Sequence, residues 1–514
     1  MTDLDKVLIL DFGSQYTQLI ARKVRELGVY CEIVPNNVSP ERIGEINAKA
    51  IILSGGPASV FGQDSPTMDR AVLDLRLPTL GICYGMQLLA HMLGGEVDRR
   101  GAGEYGPAGI EVVRPEGVLS QLEGRLKVWM SHGDMVTRTP HGFEVLARTA
   151  DCPVAAMGNL EARIYGVQFH PEVVHTRRGK EILGNFLFAV AGCEANWTMA
   201  RFINQAVAEI RQRLGNGKVI CGLSGGVDSS VTAAMLNKAI GDQMFAVFVD
   251  NGLLRKGERE EIEHFFKQDY PLNMQVVDAR SEFLQALRGV TDPEQKRKII
   301  GKVFIDVFSE AARQIGGIKY LAQGTLYPDV IESVSAKGGP SATIKSHHNV
   351  GGLPDDLKFE LVEPLRELFK DEVRRLGIEL GLPAKLVNRQ PFPGPGLAVR
   401  IIGDITAERL EVLRRADAIV QQEMANWQGY ENIWQSFAVL LPIKTVGVMG
   451  DERTYANVVT LRVVTSVDAM TADWARLPHD LLQRLSARII NEVSGVNRVC
   501  YDISSKPPST IEWE

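Results

Sequence analysis

Short apolar runs alternate with longer stretches of helical spacing through the first part of the chain. Lys6 to Leu10, Ala50 to Leu53 and Thr79 to Ile82 are the runs; Tyr16 to Leu27 and Gly85 to Leu93 carry the helical pattern. An unbroken apolar run of strand length, closed by Gly, Asp or Ser, predicts a strand covered on both faces. Repeated strand and helix predict βαβ units in a mainly parallel sheet, with a ligand crevice at the carboxyl ends of the strands. From Gly109 to Gln168 the pattern changes to antiparallel strands added to that sheet.

A second alternation begins at an amphipathic helix, Trp197 to Leu214, whose apolar face is Phe202, Ala206, Ile210 and Leu214. Lys218 to Leu223, Met244 to Val249, Met274 to Val277 and Tyr320 to Ala322 follow as strands. Gln390-Pro391-Phe392-Pro393-Gly394-Pro395-Gly396 cannot continue a helix or a central strand, because its prolines remove donors and its glycines loosen the backbone. Beyond it, Ala407 to Asn426 and Pro478 to Val493 predict helices, while Ser436 to Pro442, Tyr455 to Val464 and Arg498 to Ile503 predict strands. The expected division is therefore residues 6–196, 197–389 and 390–514: an α/β unit, a second doubly wound α/β unit and a small α+β unit.

Length supports several units, since 514 residues exceed the ~250–300 that one hydrophobic core serves. Hydrophobic residues at 45%, charged residues at 23% and a mean hydropathy of -0.05 describe an ordinary globular chain. A net charge of -6 argues against a nucleic-acid binder, which needs a basic face to neutralise phosphates. The six cysteines lack any C-x-x-C spacing, which points to free thiols in a reducing compartment rather than to disulfides or structural zinc. No signal peptide is expected from the polar start, Met1-Thr2-Asp3-Leu4-Asp5-Lys6, and no apolar stretch approaches the ~18–20 residues that cross a bilayer. A cytoplasmic protein without a membrane or nucleic-acid partner is expected.

Two places carry chemistry. In Thr79-Leu80-Gly81-Ile82-Cys83-Tyr84-Gly85-Met86-Gln87 a cysteine stands between a strand and a helix start, where unpaired N–H groups favour the thiolate. The turn resembles a nucleophile elbow, so the amide of Tyr84 is expected to face a developing oxyanion, with a second donor from the Ser54-Gly55-Gly56-Pro57 loop, at Gly56. His170 and Glu172, two apart in Gly166-Val167-Gln168-Phe169-His170-Pro171-Glu172, share a face of extended backbone and complete a candidate triad. Cys31, Cys152, Cys193, Cys221 and Cys500 lack a glycine-flanked helix start and read as structural.

The second place is Ser224-Gly225-Gly226-Val227-Asp228-Ser229-Ser230, between the strand ending at Leu223 and a helix expected over Val231 to Lys238. Backbone amides of such a loop form an anion cradle. It lacks the G-K-[ST] ending that reaches terminal phosphates, so cleavage of the terminal phosphate is not implied. Lys337 to Gly352 is glycine-hinged and carries Lys345, His347 and His348, a candidate lid over phosphates; the adjacent histidines have no companions for zinc. Lys370 and Arg297 are open between a phosphate contact and a solvated helical charge.

Gly81 to Gln87 with His170-Pro171-Glu172 resembles the class I glutamine amidotransferases over residues 6–193. That resemblance implies a flavodoxin-like fold in which Cys83 attacks the carboxamide of L-glutamine, His170 passes protons and glutamate and ammonia leave. The Ser224 to Ser230 loop resembles that of enzymes which split ATP between the α and β phosphates; it implies pyrophosphate held by Ser224 to Ser230 and Mg2+ contacted by Asp228. The whole order, with the Pro-Phe-Pro-Gly-Pro-Gly stretch and the Lys506-Pro507-Pro508-Ser509-Thr510-Ile511-Glu512-Trp513-Glu514 tail, resembles the glutamine-hydrolysing GMP synthetase family. This whole-chain likeness implies xanthosine 5'-monophosphate (XMP) as acceptor, ATP as activator, a homodimer through the C-terminal unit, and XMP contacts at Lys506, Thr510, Ile511 and Glu512, with Arg297 assisting. Glutamine-dependent NAD synthesis is the nearest alternative, because the loop alone does not choose the acceptor.

Overall fold

The computed structural model describes residues 4–99, 103–335, 359–466 and 471–514. The chain forms two compact units, Met1–Phe202 and Ile203–Glu514. The division falls inside one amphipathic helix. The boundary expected near residue 390 lies within the second unit.

In the first unit, β1 (Lys6–Asp11), α1 (Thr17–Glu26), β2 (Tyr30–Pro35), β3 (Ala50–Leu53), β4 (Thr79–Ile82) and α2 (Tyr84–Met92) alternate as expected. They are followed by β5 (Glu104–Val112), β6 (Arg125–His132), β7 (Glu144–Arg148), β8 (Ala156–Asn159) and β9 (Ile164–Val167). The nine strands lie in the order β2-β1-β3-β4-β9-β8-β7-β5-β6. The first five are mutually parallel and the rest join antiparallel. This is the doubly wound, flavodoxin-like order with an antiparallel extension, and it places the ends of β1, β3, β4 and β9 side by side. Every residue of β3 and β4 is buried, as their unbroken apolar runs require.

The second unit opens in α3 (Met199–Leu214), whose predicted face of Phe202, Ala206, Ile210 and Leu214 is buried. Then come β10 (Lys218–Leu223), α4 (Val227–Ile240), β11 (Met244–Asp250), α5 (Glu258–His264), β12 (Met274–Asp278), α6 (Arg280–Ala286), α7 (Pro293–Ile315), β13 (Ile318–Ala322), β14 (Glu360–Val362) and α8 (Lys370–Glu379). The sheet order β12-β11-β10-β13-β14 is wholly parallel. Its order reverses between β10 and β13, so the crevice opens where β10 runs into Ser224. The helix expected from Val231 begins instead at Val227: Val227 to Ser230 are its first turn, and the anion-seeking amides are helix N-terminal amides.

The C-terminal elements are α9 (Ala407–Ala425), β15 (Gln435–Met449), β16 (Glu452–Thr465), β17 (Asp473–Trp474), α10 (His479–Glu492) and β18 (Val496–Tyr501). Strands β15 and β16 form a hairpin longer than its apolar runs suggested, with β17 antiparallel and β18 parallel on β16. One hydrophobic cluster runs from Ile220 and Val247 of the parallel sheet through Leu397 and Leu410 to Leu440 and Leu485. After the proline-rich stretch, Leu397 to Arg400 are buried, and Gly396 takes φ +62 because a Cβ there would stand 2.5 Å from the Leu253 carbonyl oxygen. Among the described residues no helix is long and apolar enough to cross a membrane.

Candidate functional site

Cys83 caps α2 with φ +50 and ψ -105, a conformation that a β-branched or bulky residue rarely holds. The surrounding backbone enforces it. A Cβ on Gly81 would lie 2.6 Å from the Gly85 backbone, and one on Gly85 would lie 2.5 Å from the Leu53 carbonyl oxygen, so β3, β4 and α2 meet with no room for side chains. The Cys83 amide donates to Val167 of β9 at 2.8 Å and the Gly85 amide to Ser54 after β3 at 3.1 Å, which ties the elbow to both neighbouring strands. Such local strain persists where the surroundings over-determine it, and here it lifts the thiol above the sheet.

His170 and Glu172 follow β9, and the predicted pair forms: His170 Nδ1 lies 2.7 Å from Glu172 Oε1. Both are almost fully buried, and among the described residues Glu172 Oε2 has no hydrogen-bond partner, so the imidazole is what balances this carboxylate. Burial alone would hold the His170 pKa down, but the Cys83 sulfur and Glu172 outweigh it and push the pKa up to about 10. The imidazole therefore carries its proton at neutral pH. His170 is anchored by its amide on Trp129 (3.0 Å) and by Thr176 Oγ1 on its carbonyl (2.6 Å), with the Tyr16 ring edge-on at 5.1 Å.

The Ser54–Pro57 loop reaches the same place. A Cβ on Gly55 would meet His170 Cε1 at 3.3 Å, and one on Gly56 would meet the Phe12 carbonyl oxygen at 2.7 Å and the Tyr84 ring at 3.4 Å. Gly56 and Tyr84, the expected oxyanion donors, are thus neighbours. The Tyr84 hydroxyl is engaged elsewhere, donating to Pro66 O at 2.6 Å. Sequence reasoning assigned no role to Gln168, whose Nε2 donates to Cys83 Sγ at 3.7 Å, nor to Ser131, whose carbonyl faces that sulfur at 3.6 Å. Gln168 lay within the motif, but only the pairing of β4 with β9 directs it at the thiol.

Of the other cysteines, read as structural, Cys31, Cys152, Cys193 and Cys221 are buried, whereas Cys500 is exposed. Burial pushes the thiols of Cys152 and Cys221 up to about 12 and that of Cys193 up to about 11. Cys152 lies near Glu104 and His132. That group is hydrogen-bonded within itself: His132 Nε2 faces Glu104 at 3.1 Å, Nδ1 faces the Asp134 carbonyl at 3.0 Å, and the Cys152 thiol donates to Val154 O at 3.4 Å. It reads as a core network, not a metal centre.

In the second unit the loop after β10 is closed by its own hydroxyls. Ser224 Oγ and Ser229 Oγ lie 3.0 Å apart, the Ser224 amide donates to Ser229 Oγ at 3.2 Å, and the Ser230 hydroxyl donates to Gly226 O at 2.8 Å. Gly225 takes φ +74, and a Cβ there would strike Ile262 of α5 at 2.2 Å. Lys370, the first residue of α8, is a half-exposed charge that is ion-paired: its Nζ sits 2.6 Å from both oxygens of Asp228. The Val249-Asp250-Asn251-Gly252 segment is a tight turn in which Asn251 Oδ1 accepts from the Leu253 amide at 2.9 Å and Asp250 pairs with Arg259 at 3.0 Å. Lys345, His347 and His348 lie outside the described residues.

The tail is held by buried cations that the sequence did not single out. Arg400 makes a forked pair with Glu512 at 2.8 and 3.1 Å, and Lys296 pairs with Glu514. Arg297 donates to the Glu514 main-chain oxygen. Arg462 donates to Thr510 O at 2.9 Å and Ile511 O at 3.3 Å, while the Ile511 side chain is buried against Phe437 and Val439. Lys506 exchanges backbone hydrogen bonds with Ala472. Arg297, Thr510, Ile511 and Glu512 are therefore gathered near the tail's end, with Ile511 serving the core.

A strained cysteine at the head of a flavodoxin-like sheet, beside a buried His–Glu pair, defines a glutamine amidotransferase of class I, here followed by a parallel sheet with an anion loop. Residues 8–190 match the family described as glutamine amidotransferase class-I, 198–296 match NAD synthase, and 422–513 match the GMP synthase C terminal domain. The GMP synthase (glutamine-hydrolyzing) of Maridesulfovibrio salexigens is 58% identical over 512 residues, covering 99% of each chain. That of Solidesulfovibrio magneticus is 59% identical over 518 residues, covering 100% of each chain, and that of Caldanaerobacter subterraneus subsp. tengcongensis 57% over 510 residues, covering 99% of each. The chain belongs to the glutamine-hydrolysing GMP synthase family. The NAD synthase match falls on the segment containing the loop, in line with a device shared among enzymes that activate different acceptors.

Proposed function

We propose that this chain makes GMP from XMP, with glutamine as nitrogen donor and ATP as activator. The Cys83 sulfur attacks the glutamine carboxamide carbon, the carbonyl oxygen turns toward the amides of Gly56 and Tyr84, and the C–N bond breaks as His170 gives its proton to the departing ammonia. Water, deprotonated by the now neutral His170, then cleaves the thioester and releases glutamate. Glu172 holds the imidazole in orientation and balances its charge.

At the other site the C2 oxygen of XMP attacks the α-phosphorus of ATP and pyrophosphate leaves into the amides of Ser224 to Ser230. Ammonia then displaces AMP from C2 to give GMP. Asp228 suits Mg2+: it is a carboxylate at the loop's helix start, and Mg2+ is commonly bound by one or two carboxylates together with substrate phosphates. When bound, the ion would offset the charge of the leaving pyrophosphate. Lys370 is paired with Asp228, and both side chains stand where the phosphates arrive.

We assign residues 6–196 to glutamine hydrolysis, 197–389 to adenylylation and 390–514 to acceptor binding and pairing of two copies. Lys506, Thr510, Glu512 and Arg297 are the acceptor contacts, with Ile511 anchoring the tail in the core. The pairing surface is the β15–β16 hairpin, supported by its exposed apolar residues Ile443, Val446, Val448 and Tyr455, the last 68% exposed. A cytoplasmic location fits the free thiols and the substrates.

The observation that carries this reading is the buried His170–Glu172 pair set against the strained Cys83. The deciding experiment traces amide-labelled glutamine: label is expected at the 2-amino group of GMP, with pyrophosphate release that requires XMP. Release that ignores XMP but responds to another carboxylate or nucleotide acceptor would overturn it.

A further inference from the structure

An anion cradle needs its amides turned inward and its carbonyls held elsewhere, because a carbonyl oxygen facing a phosphate repels it. Two carbonyls stand at the apex of the Ser224–Ser230 loop. Gly226 O is satisfied within the helix start, by the Ser230 amide at 3.1 Å and the Ser230 hydroxyl at 2.8 Å. Gly225 O is turned out of the loop and accepts Arg389 Nη1 at 3.0 Å, from 164 residues away.

That guanidinium is fixed on its far side. Arg389 Nη2 pairs with Glu258, a buried carboxylate at the start of α5 whose other oxygen accepts the Arg255 amide at 2.9 Å. Ile262, one turn along the same helix, fills the space against Gly225. Arg255 in turn is ion-paired with buried Asp417 of α9 at 3.1 Å and lies over the Phe392 ring at 4.8 Å. Phe392 also contacts Arg400, 5.2 Å from its centroid, the residue that forks onto Glu512 of the tail. Arg389 thus stands at the junction of the loop with a packed series of cations leading to the acceptor-side tail.

We propose that Arg389 is a positioning residue of the adenylylating site, holding the Gly225 carbonyl out of the cradle so that the loop amides stay aimed at pyrophosphate. The proposal rests on reading Ser224–Ser230 as the pyrophosphate loop. Arg389 touches no reacting atom; it acts through the backbone of Gly225, and the Glu258 pair keeps its fork from turning away.

The test uses the full chain with ammonium as nitrogen source, measuring pyrophosphate release against ATP at saturating XMP and Mg2+, with Arg389→Met, Arg389→Lys, Glu258→Gln and Asp228→Ala. Losing one charge-assisted hydrogen bond predicts an increase of about tenfold in KM for ATP in Arg389→Met, larger than the fall in kcat, partly recovered by Arg389→Lys. Glu258→Gln should shift the same parameter in the same direction by less. A folded Arg389→Met with ATP KM within about twofold of the parent overturns the proposal; if that variant does not fold, an unchanged ATP KM in Glu258→Gln overturns it instead. Asp228→Ala separates the two ideas. Should it leave release intact, the loop reading itself fails, whereas loss in Asp228→Ala beside an unaltered Arg389→Met removes only the positioning role.

Discussion

The two reaction sites are prepared in opposite ways. Around Cys83 the backbone is strained and the imidazole of His170 is paired with a buried carboxylate, so the candidate groups are held in place by the fold itself. Around Ser224–Ser230 the polar groups are satisfied by one another: hydroxyl on hydroxyl, Lys370 on Asp228, Arg389 on Gly225 O. The first site holds a thiol in place through its backbone, and the second ties its polar groups to one another. The difference comes from the chemistry, since a neutral amide brings little charge of its own, whereas ATP brings enough to exchange partners with a lysine and two serines.

The comparison breaks hardest at the nucleophile. Cys83→Ala should lower glutamine-dependent synthesis by on the order of 10^4-fold or more while leaving synthesis from ammonium salts intact. Loss of both activities in a folded variant would mean that the sites are not separate. Next, Asp228→Ala should reduce product from either nitrogen source by on the order of 10^2-fold or more, while a small alkylating agent still labels Cys83.

Glu172→Gln should lower glutaminase turnover by on the order of 10^2-fold and also move a titration. Because the folded pKa of His170 lies above its ordinary value of 6.5, at about 10, the pair contributes stability fully below pH 6.5 and loses it as pH rises through about 10. Alkylation of Cys83 should accordingly show no imidazole inflection between pH 6 and 8 and one near pH 10, which Glu172→Gln shifts downward. An inflection near 6.5 in the parent would show the pair unformed. The smallest effect is one of contrast among thiols: brief native labelling should find Cys83 and the exposed Cys500, while Cys152, Cys193 and Cys221 appear only after denaturation.

Much of the fold and of the first site is legible in sequence. Strands such as Ala50–Leu53 are apolar throughout because both faces are covered, and the α3 face of Phe202, Ala206, Ile210 and Leu214 announces itself by period. Cys83 is legible because its strain is enforced by Gly81 and Gly85 close by in the chain, and His170 with Glu172 because two residues of extended backbone share a face. Less legible were the helix start at Val227, where small polar residues suit loop and N-terminal turn equally, and the long hairpin, whose outer half mixes polar residues with exposed apolar ones.

Local order in the chain thus determined the strands and helices, the elbow, the His170–Glu172 pair and the anion loop, for each depends on neighbours a few residues apart. Only the tertiary structure decided that Lys370 holds Asp228 from 142 residues away, that Arg389 holds Gly225 from 164, and that Lys296 meets Glu514 across 218. A lone lysine or arginine has the same appearance in sequence whether it is solvated or buried against a carboxylate. Its partner is chosen by which strands pair and which helices pack, and spacing along the chain does not record that.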